Sequence, residues 1–206
     1  MSCSLKHECA LHRQGWVRVA GLDEAGRGPL AGPVVAAAVV LPERFRHREL
    51  DDSKKLSERT RERLYAEITG HSKISWAFAV VEAEEIDRLN ILNATHEAMR
   101  RAFAALLFAP DHALIDGLPV LPFPVPQTAL VGGDGLSLSI AAASVIAKVT
   151  RDRLMVEMET RYPAYGFAQH KGYGTALHLA KLRAHGPCPI HRQSFSPVRQ
   201  ALLPLA

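Results

Sequence analysis

Cysteine is scarce in this sequence, and its placement excludes two common roles. Only three cysteines occur in 206 residues, Cys3, Cys9 and Cys188, and no two of them form a Cys-x-x-Cys pair. A disulfide framework and a cysteine-based zinc site are therefore not supported. The ten histidines lack the His-Glu-x-x-His spacing of zinc hydrolases, so we expect most of them at the surface.

Long apolar runs are missing as well. No stretch approaches the roughly 20 apolar residues that a membrane helix needs, and residues 1–14 lack the apolar core of a signal peptide. We therefore expect a cytoplasmic protein without membrane attachment, whose residues 1–14 form a flexible tail. The 48% hydrophobic content is enough for a single domain over residues 15–206.

Neither sign of charge dominates the composition. The chain has 25 Lys and Arg against 21 Asp and Glu, a formal net charge of +4. This balance is compatible with a polyanionic partner but does not require one. Acidic residues in basic surroundings are expected where carboxylates bind a metal and the surroundings bind phosphate.

The hydrophobic pattern indicates alternating strands and helices. Apolar stretches predict strands over 16–23, 33–41, 74–81, 113–116 and 128–131. Helical spacing predicts helices over 57–69, 90–108, 137–162 and 175–185, and a glycine-rich loop over 166–174. No glycine-rich nucleotide fingerprint follows the first strand. The pattern therefore favours a mixed α/β sheet over a dinucleotide-binding fold, with a helical C-terminal segment from about residue 163.

Two adjacent carboxylates, Asp23 and Glu24, end the first predicted strand. Side chains of a regular strand alternate between faces, so the two can share one site only if the chain leaves the extended conformation at Glu24, which Gly26 and Gly28 permit. Ionised carboxylates beside an apolar strand are costly without a compensating cation or donor. The glycines around Arg27 also leave backbone N–H groups exposed, so this segment can lie close along a sugar-phosphate backbone. The alternative is a tight turn that binds nothing.

Two further aspartates, Asp116 and Asp134, stand beside glycine at the ends of predicted elements. Several carboxylates from different elements suit two hard divalent cations at a phosphodiester. Each aspartate also has a simpler explanation, because aspartate before glycine commonly forms a turn, and Asp134 can cap the helix that starts at Ser137. The pattern favours a carboxylate metal site without requiring one.

The other candidates are basic, hydroxyl and aromatic side chains. Four basic residues are candidate phosphate contacts, with a solvated basic face as the alternative: Lys54, Lys55, Lys148 and Arg151. The spacing of Ser144, Lys148 and Asp152 puts them on one face of the long helix. Tyr173 is the aromatic residue we expect to stack on a sugar or base, because glycines flank it and no apolar periodicity includes it.

Collinear motifs throughout the chain resemble the ribonuclease HII family, the type 2 ribonucleases H. The matching segments are GLDEAGRGPLAGPVVAAAV at 21–39, DDSKKLS at 51–57, NILNATHEAM at 90–99, LIDG at 114–117, GGD at 132–134, SIAAASVIAKVTRD at 139–152, YPAYGFAQHKGYGT at 162–175 and HRQSFSPV at 191–198. The resemblance implies an RNase H-like α/β fold, a mixed sheet flanked by helices. It also implies an endonuclease that cuts 5′ of a ribonucleotide embedded in duplex DNA and cleaves the RNA strand of RNA–DNA hybrids.

The resemblance assigns roles by position. The family's four metal-binding and catalytic carboxylates fall on Asp23, Glu24, Asp116 and Asp134. Its glycine-arginine-glycine element, which reads the ribose 2′-hydroxyl, falls on Gly26, Arg27 and Gly28, and its tyrosine beneath the sugar falls on Tyr173. The remaining substrate-binding candidates are Lys54, Lys55, Ser144 and Lys148. Asp152 is a weaker fifth carboxylate, for which we expect an ion pair because arginines flank it.

We therefore expect a two-metal hydrolysis with Mg²⁺ or Mn²⁺ that leaves 5′-phosphates. Asp23 and Asp116 would bridge or flank the cations, and Glu24 and Asp134 would complete their shell. The expected partners are RNA–DNA hybrid and ribonucleotide-containing duplex DNA, with a role in replication and repair, no obligate protein partner and a monomeric state. Two alternatives stay open: another metal-dependent DNA nuclease of RNase H-like fold, and a non-catalytic nucleic-acid-binding module.

Overall fold

A five-stranded mixed sheet organises residues 3–201, the part of the chain that the computed structural model describes. The strands are β1 (Val19–Ala25), β2 (Val34–Val40), β3 (Ser75–Val81), β4 (His112–Asp116) and β5 (Gln127–Leu130). Their order is β3-β2-β1-β4-β5, with β1, β2 and β3 paired antiparallel, β4 parallel to β1, and β5 parallel to β4. The mixed α/β sheet predicted from the sequence is confirmed.

Helices cover both faces of this sheet. They are α1 (Lys6–Arg13), α2 (Glu58–Thr69), α3 (Ala83–Leu89), α4 (Ile91–Ala104), α5 (Leu138–Arg161), α6 (Phe167–His170), α7 (Ala176–His185) and α8 (Ser196–Ala201). The long helix α5 packs on β1 and β2 from one side, and α4 packs on β2 and β3 from the other. Among the helices of residues 3–201, none has the length and apolar character that a membrane span requires.

Small residues bring α5 directly against the central strands. A side chain at Gly21 of β1 would overlap the backbone of Ser139 at the start of α5, so glycine is required for this close approach. The alanines of α5 and β2 are fully buried in the shared core: Ala37, Ala141, Ala142 and Ala143. As a result, the Ser144 side of α5 lies over the end of β1, where the acidic residues are.

Several helices differ from their predictions in bounds or were not predicted. The helix expected over 90–108 is observed as α4, over Ile91–Ala104. The preceding helix α3 was not predicted, and it is separated from α4 by Asn90, which has a φ of 67°. Its side-chain oxygen accepts from the Asn93 amide at 3.0 Å and so caps α4. The expected loop over 166–174 contains the short helix α6, and α8 was not predicted.

The flexible tail expected over residues 1–14 is wrong for the described part of that segment. Lys6–Arg13 form α1, and its Glu8 and Leu11 are buried. Burial of Leu11 against β1 and α5, together with hydrogen bonds from Glu8 to the start of α5, anchors the helix. The Glu8 hydrogen bonds join residues 129 and 131 positions apart, which is why local sequence did not indicate them. Residues 1–2 lie outside the described residues.

Candidate active site

Three carboxylates converge at one edge of the sheet. Asp23 lies near the end of β1, Asp116 ends β4, and Asp134 lies in the short 3₁₀ turn that precedes α5. The parallel pairing of β1 with β4 brings the first two together, and one carboxylate oxygen from each residue lies within 4.8 Å of the others. Asp116 Oδ1 also accepts from the Gly133 amide at 2.7 Å, which ties the 3₁₀ turn to the strand end.

The electrostatics of this three-carboxylate cluster fit a hard divalent cation. Burial raises the pKa of Asp23 well above its usual range, and the charges of Glu24 and Asp116 raise it further. Burial and the Asp116 charge also raise the pKa of Asp134. Crowded, desolvated carboxylates repel one another, and a cation held between their oxygens would relieve that repulsion. The residues present therefore suit Mg²⁺ or Mn²⁺.

Glu24 lies outside this cluster, and the chain does not leave the extended conformation at Glu24, which was the condition for Glu24 to share a site with Asp23. Strand β1 stays paired with β2 through Ala25, with Glu24 opposite Ala36. Its carboxylate lies 3.5 Å from Arg27 Nη1. Burial raises the pKa of Glu24, Arg27 lowers it, and Asp116 raises it, so the residue remains within electrostatic reach of the cluster.

Strand β1 ends at Ala25, and the loop that follows it exposes Arg27 and Gly28 beside Tyr173. Gly26 has a φ of 100° and is buried, and a side chain there would overlap Arg151. Gly28 is exposed, and an added Cβ would meet only the Tyr173 ring, at 3.9 Å. The structure thus places Gly28 and Tyr173 side by side, as a substrate surface that includes both would require.

Of the neighbouring candidates Lys54 and Lys55, only Lys54 points into the cluster. Its Nζ lies 3.2 Å from Asp134 Oδ2, whereas Lys55 Nζ lies 3.0 Å from Asp51 Oδ1. The Lys54 side chain is 74% exposed, so it can leave Asp134 for another anion. Lys55 is placed at the rim of the site rather than inside it.

The candidates on α5 lie along the wall of the site. Ser144 is buried, bonds to the Ser53 hydroxyl at 2.8 Å and lowers the pKa of Asp23. Lys148 Nζ lies 5.9 Å from the centre of the Tyr173 ring and 2.8 Å from Asp152 Oδ1. Asp152 therefore forms an ion pair as expected, but with Lys148 and, at 4.0 Å, with Arg61 rather than with the arginines that flank it, and it stands apart from the three-carboxylate cluster.

Two fully buried arginines support the loop that follows β1, and neither was assigned this role from the sequence. Arg151 was expected to contact phosphate, but its guanidinium donates to the carbonyls of Pro33, Lys171 and Ala31. Arg192 donates to four carbonyls of the loop: Gly26, Arg27, Pro29 and Gly32. Arginines are mostly exposed in proteins, and no periodicity marked these two.

A group of buried histidines lies behind Tyr173, contrary to the expectation of surface positions. His170, His178 and His191 are at most 7% exposed. His178 Nδ1 lies 2.9 Å from the Tyr173 carbonyl oxygen, and its Nε2 lies 3.0 Å from His191 Nε2. The only sequence signal was their place in the polar segments around 170 and 191. These rings link α6, α7 and the segment before α8.

Comparison with known proteins agrees with this site. The family model described as Ribonuclease HII matches residues 20–198. A protein named Ribonuclease HII from Syntrophotalea carbinolica is 54% identical over 96% of this chain and 94% of its own length. One from Myxococcus xanthus is 53% identical over 96% of this chain and 68% of its own length.

The solved structures agree in fold. The ribonuclease H2 of Pyrococcus horikoshii superposes with a TM-score of 0.75 at 26% identity, over 90% of this chain and 97% of that one. The RNase H-like fold is thereby confirmed. The family match covers every position that carries the three-carboxylate cluster, the glycine loop and Tyr173. The chain belongs to the ribonuclease HII family.

Proposed function

We propose that this ribonuclease H hydrolyses the phosphodiester 5′ of ribonucleotides embedded in duplex DNA, and cleaves the RNA strand of RNA–DNA hybrids. Family membership makes the chain a metal-dependent nuclease. One observation carries the finer proposal: Asp23 of the three-carboxylate cluster lies three residues before Gly26, and the exposed Gly28 of the same loop lies beside the Tyr173 ring. Chemistry and sugar recognition would therefore use neighbouring residues of one strand end.

The cluster residues would hold two divalent cations, Mg²⁺ or Mn²⁺. Asp23, Asp116 and Asp134 would hold them, and the chemistry they would supply is activation of a water and neutralisation of charge on the phosphate and the departing 3′ oxygen, which would leave a 5′-phosphate. Glu24 would complete the set by giving up its 3.5 Å pair with Arg27. Lys54, now 3.2 Å from Asp134, would move to the substrate phosphate.

Sugar recognition would fall to the glycine loop. The 2′-hydroxyl is the group that distinguishes RNA from DNA. Because glycines flank Arg27, few side-chain atoms would keep the backbone of Gly26, Arg27 and Gly28 from approaching that hydroxyl. Tyr173 would pack beneath the sugar, with Lys148 Nζ at 5.9 Å from its ring on the phosphate side. Ser144 and Lys55 would hold the duplex at the wall and rim of the site.

The proposed physiological role is removal of ribonucleotides from DNA during replication and repair, in the cytoplasm and by a monomer with no obligate protein partner. Two other functions compete with it. Another DNA nuclease of this fold would use the same carboxylates but would not require a ribonucleotide in its substrate. A non-catalytic binding module would use the basic residues alone and would leave the crowded carboxylates of the cluster unexplained.

A panel of three labelled duplexes tests the proposal. The duplexes are all DNA, DNA with one ribonucleotide, and RNA–DNA hybrid, each incubated with Mg²⁺, Mn²⁺ or EDTA. We expect no product, one nick 5′ of the ribonucleotide and many nicks respectively, and no product in EDTA. Cleavage of the all-DNA duplex would favour the other nuclease. Binding without any metal-dependent product would favour the binding module.

A further inference from the structure

The Arg192 guanidinium is the main support of the loop that carries the proposed sugar contact. Arg192 is fully buried, and its Nη2 lies 2.5 Å from the Gly26 carbonyl oxygen. Its Nη1 lies 2.9 Å from the carbonyl oxygen of Arg27 and 2.7 Å from that of Pro29. Its Nε lies 3.0 Å from that of Gly32. A single side chain thus binds four carbonyls of one seven-residue loop.

This buried charge forms no ion pair among residues 3–201, and Asp87 acts on it only from outside ion-pair distance. Among the ion pairs of residues 3–201, none involves Arg192 or its buried neighbour Arg151. Burying a cation is costly unless other groups compensate. Here the loop carbonyls provide that compensation, so the positive charge acts directly on the peptide groups of the loop. A neutral side chain would fill the space without this effect.

The direction of those peptide groups connects Arg192 to the site surface. In a trans peptide the carbonyl of one residue and the N–H of the next point in opposite directions, and the peptides of this loop are trans. Because Arg192 binds the carbonyls of Gly26 and Arg27, the N–H groups of Arg27 and Gly28 face away from it. Within residues 3–201, neither N–H donates to a protein acceptor, whereas the Leu30 N–H donates to Gly172 O at 2.8 Å.

We propose that Arg192 is a positioning residue for recognition of the ribose 2′-hydroxyl, which it achieves by fixing and polarising the two peptides whose N–H groups face the substrate. A charged donor on a carbonyl strengthens the N–H donor at the other end of the same peptide. Arg151 donates to the carbonyls of Pro33 and Ala31, near the end of the loop, but binds neither of the two peptides that follow Gly26 and Arg27. The inference rests on the proposed function and names the residue on which its specificity depends.

Binding measurements on duplexes that differ by one hydroxyl test this role. Arg192→Lys keeps the charge but cannot reach four carbonyls, and Arg192→Gln removes the charge. Each is combined with Asp116→Asn so that cleavage is too slow to consume the duplex, and affinity is measured by fluorescence anisotropy for all-DNA duplex and for duplex with one ribonucleotide. We expect the preference for the ribonucleotide to fall about tenfold in Arg192→Gln and less in Arg192→Lys, with affinity for all-DNA duplex unchanged.

A stability control separates positioning from folding. Ile68→Ala removes buried apolar contacts in the α2–α5 cluster and should lower the melting temperature without changing the preference. An unchanged preference in folded Arg192 variants, or an equal loss for both duplexes, would overturn the role of Arg192. So would failure of both Arg192 variants to fold while Ile68→Ala folds, because the role would then be structural only. A parent protein with no preference would instead overturn the proposed function.

Discussion

At the residue scale, the two glycines that flank Arg27 have different physical reasons to be glycine. Gly26 is buried with a φ of 100°, and a side chain there would overlap Arg151. Gly28 is exposed, and its Cβ would make only an ordinary contact with Tyr173. The fold therefore requires the first glycine, while the open space at the second is available to a substrate.

Alanine at each glycine separates these two requirements. Gly26→Ala should lower the free energy of unfolding by about 1–3 kcal/mol, because it forces an unfavourable φ and displaces Arg151. Gly28→Ala should change stability by less than about 0.5 kcal/mol but slow nicking of the ribonucleotide duplex at least tenfold, because a methyl group would separate backbone and sugar. Urea unfolding and initial nicking rates measure the two effects. Full nicking activity in Gly28→Ala would contradict the substrate contact.

Asp116→Asn tests the carboxylate cluster through its effect on cleavage and through its effect on stability. The amide oxygen can still accept from the Gly133 amide, now 2.7 Å from Asp116 Oδ1, so the turn should hold. We expect duplex binding to persist and cleavage to fall by about 100-fold or more. Without metal the variant should melt at a higher temperature than the parent, since one of three crowded charges is gone. In Mg²⁺ it should gain less stability than the parent. Unchanged turnover with Mg²⁺ would remove Asp116 from the site.

At the element scale, the N-terminal helix α1 caps the long helix α5. Glu8 Oε1 accepts from the Ser137 hydroxyl at 2.6 Å, the Ser139 hydroxyl at 2.7 Å and the Ser139 amide at 3.0 Å. A carboxylate at a helix N-terminus is stabilised by the unpaired amides and by the helix dipole. Because Asp134 lies in the turn just before α5, this contact also holds one member of the three-carboxylate cluster.

Glu8→Ala should therefore affect stability and metal binding together. Loss of the cap should lower the free energy of unfolding by about 1–3 kcal/mol, because buried donors of Ser137 and Ser139 lose their acceptor. We expect a higher Mg²⁺ concentration at half-maximal nicking, as the Asp134 turn becomes less ordered. The exposed Glu84 of α3 provides the matched control, and Glu84→Ala should change neither quantity. Equal behaviour of the two variants would show that α1 does not support the site.

At the scale of the whole molecule, hydrogen-bonded histidines attach the C-terminal segment behind Tyr173. The Cys188 amide donates to His191 Nδ1 at 2.9 Å, so the proton of that ring lies on Nε2 and is donated to His178 Nε2 at 3.0 Å. His178 then carries its own proton on Nδ1 and donates it to the Tyr173 carbonyl oxygen at 2.9 Å. Both rings are neutral in this chain of hydrogen bonds, and charging either would break it.

This arrangement predicts a loss of stability in mild acid. Burial, and then the neighbouring His178, lowers the pKa of His191 from 6.5 to about 4, and burial also lowers that of His178. A depressed folded pKa means that the unfolded chain binds more protons, so stability is full above about pH 6.5 and is lost as pH falls toward 4. The contribution of His191 should be about 2–3 kcal/mol.

Urea unfolding between pH 7.5 and 4 measures this effect. His191→Gln should flatten the pH dependence over that interval, while His71→Gln, at an exposed position, should leave the parent slope unchanged. Equal slopes for the parent and His191→Gln would mean that the histidine chain does not titrate as described.

The sequence by itself determined the parts of this protein that depend on neighbouring residues and on family motifs. Apolar stretches predicted all five strands of the sheet, and Ser57 caps α2 as expected, by accepting from the Thr60 amide. The positions of Asp23, Asp116 and Asp134 followed from their motifs, and the structure brings them together. Local backbone preference and hydrophobic period decide such features, so they can be read without knowing the rest of the chain.

Only the tertiary structure decided which polar groups are buried and which way each one faces. Strand β1 stays paired to Ala25, and Glu24 forms an ion pair with Arg27 outside the three-carboxylate cluster. Arg192 lies 166 positions from Gly26, whose carbonyl it binds, and Glu8 lies 129 positions from Ser137. A buried charge is tolerated only where backbone or side-chain groups form hydrogen bonds or ion pairs with it. For Arg192 and Glu8 those groups are distant in sequence, so no local pattern predicts the contacts, and only the folded chain shows them.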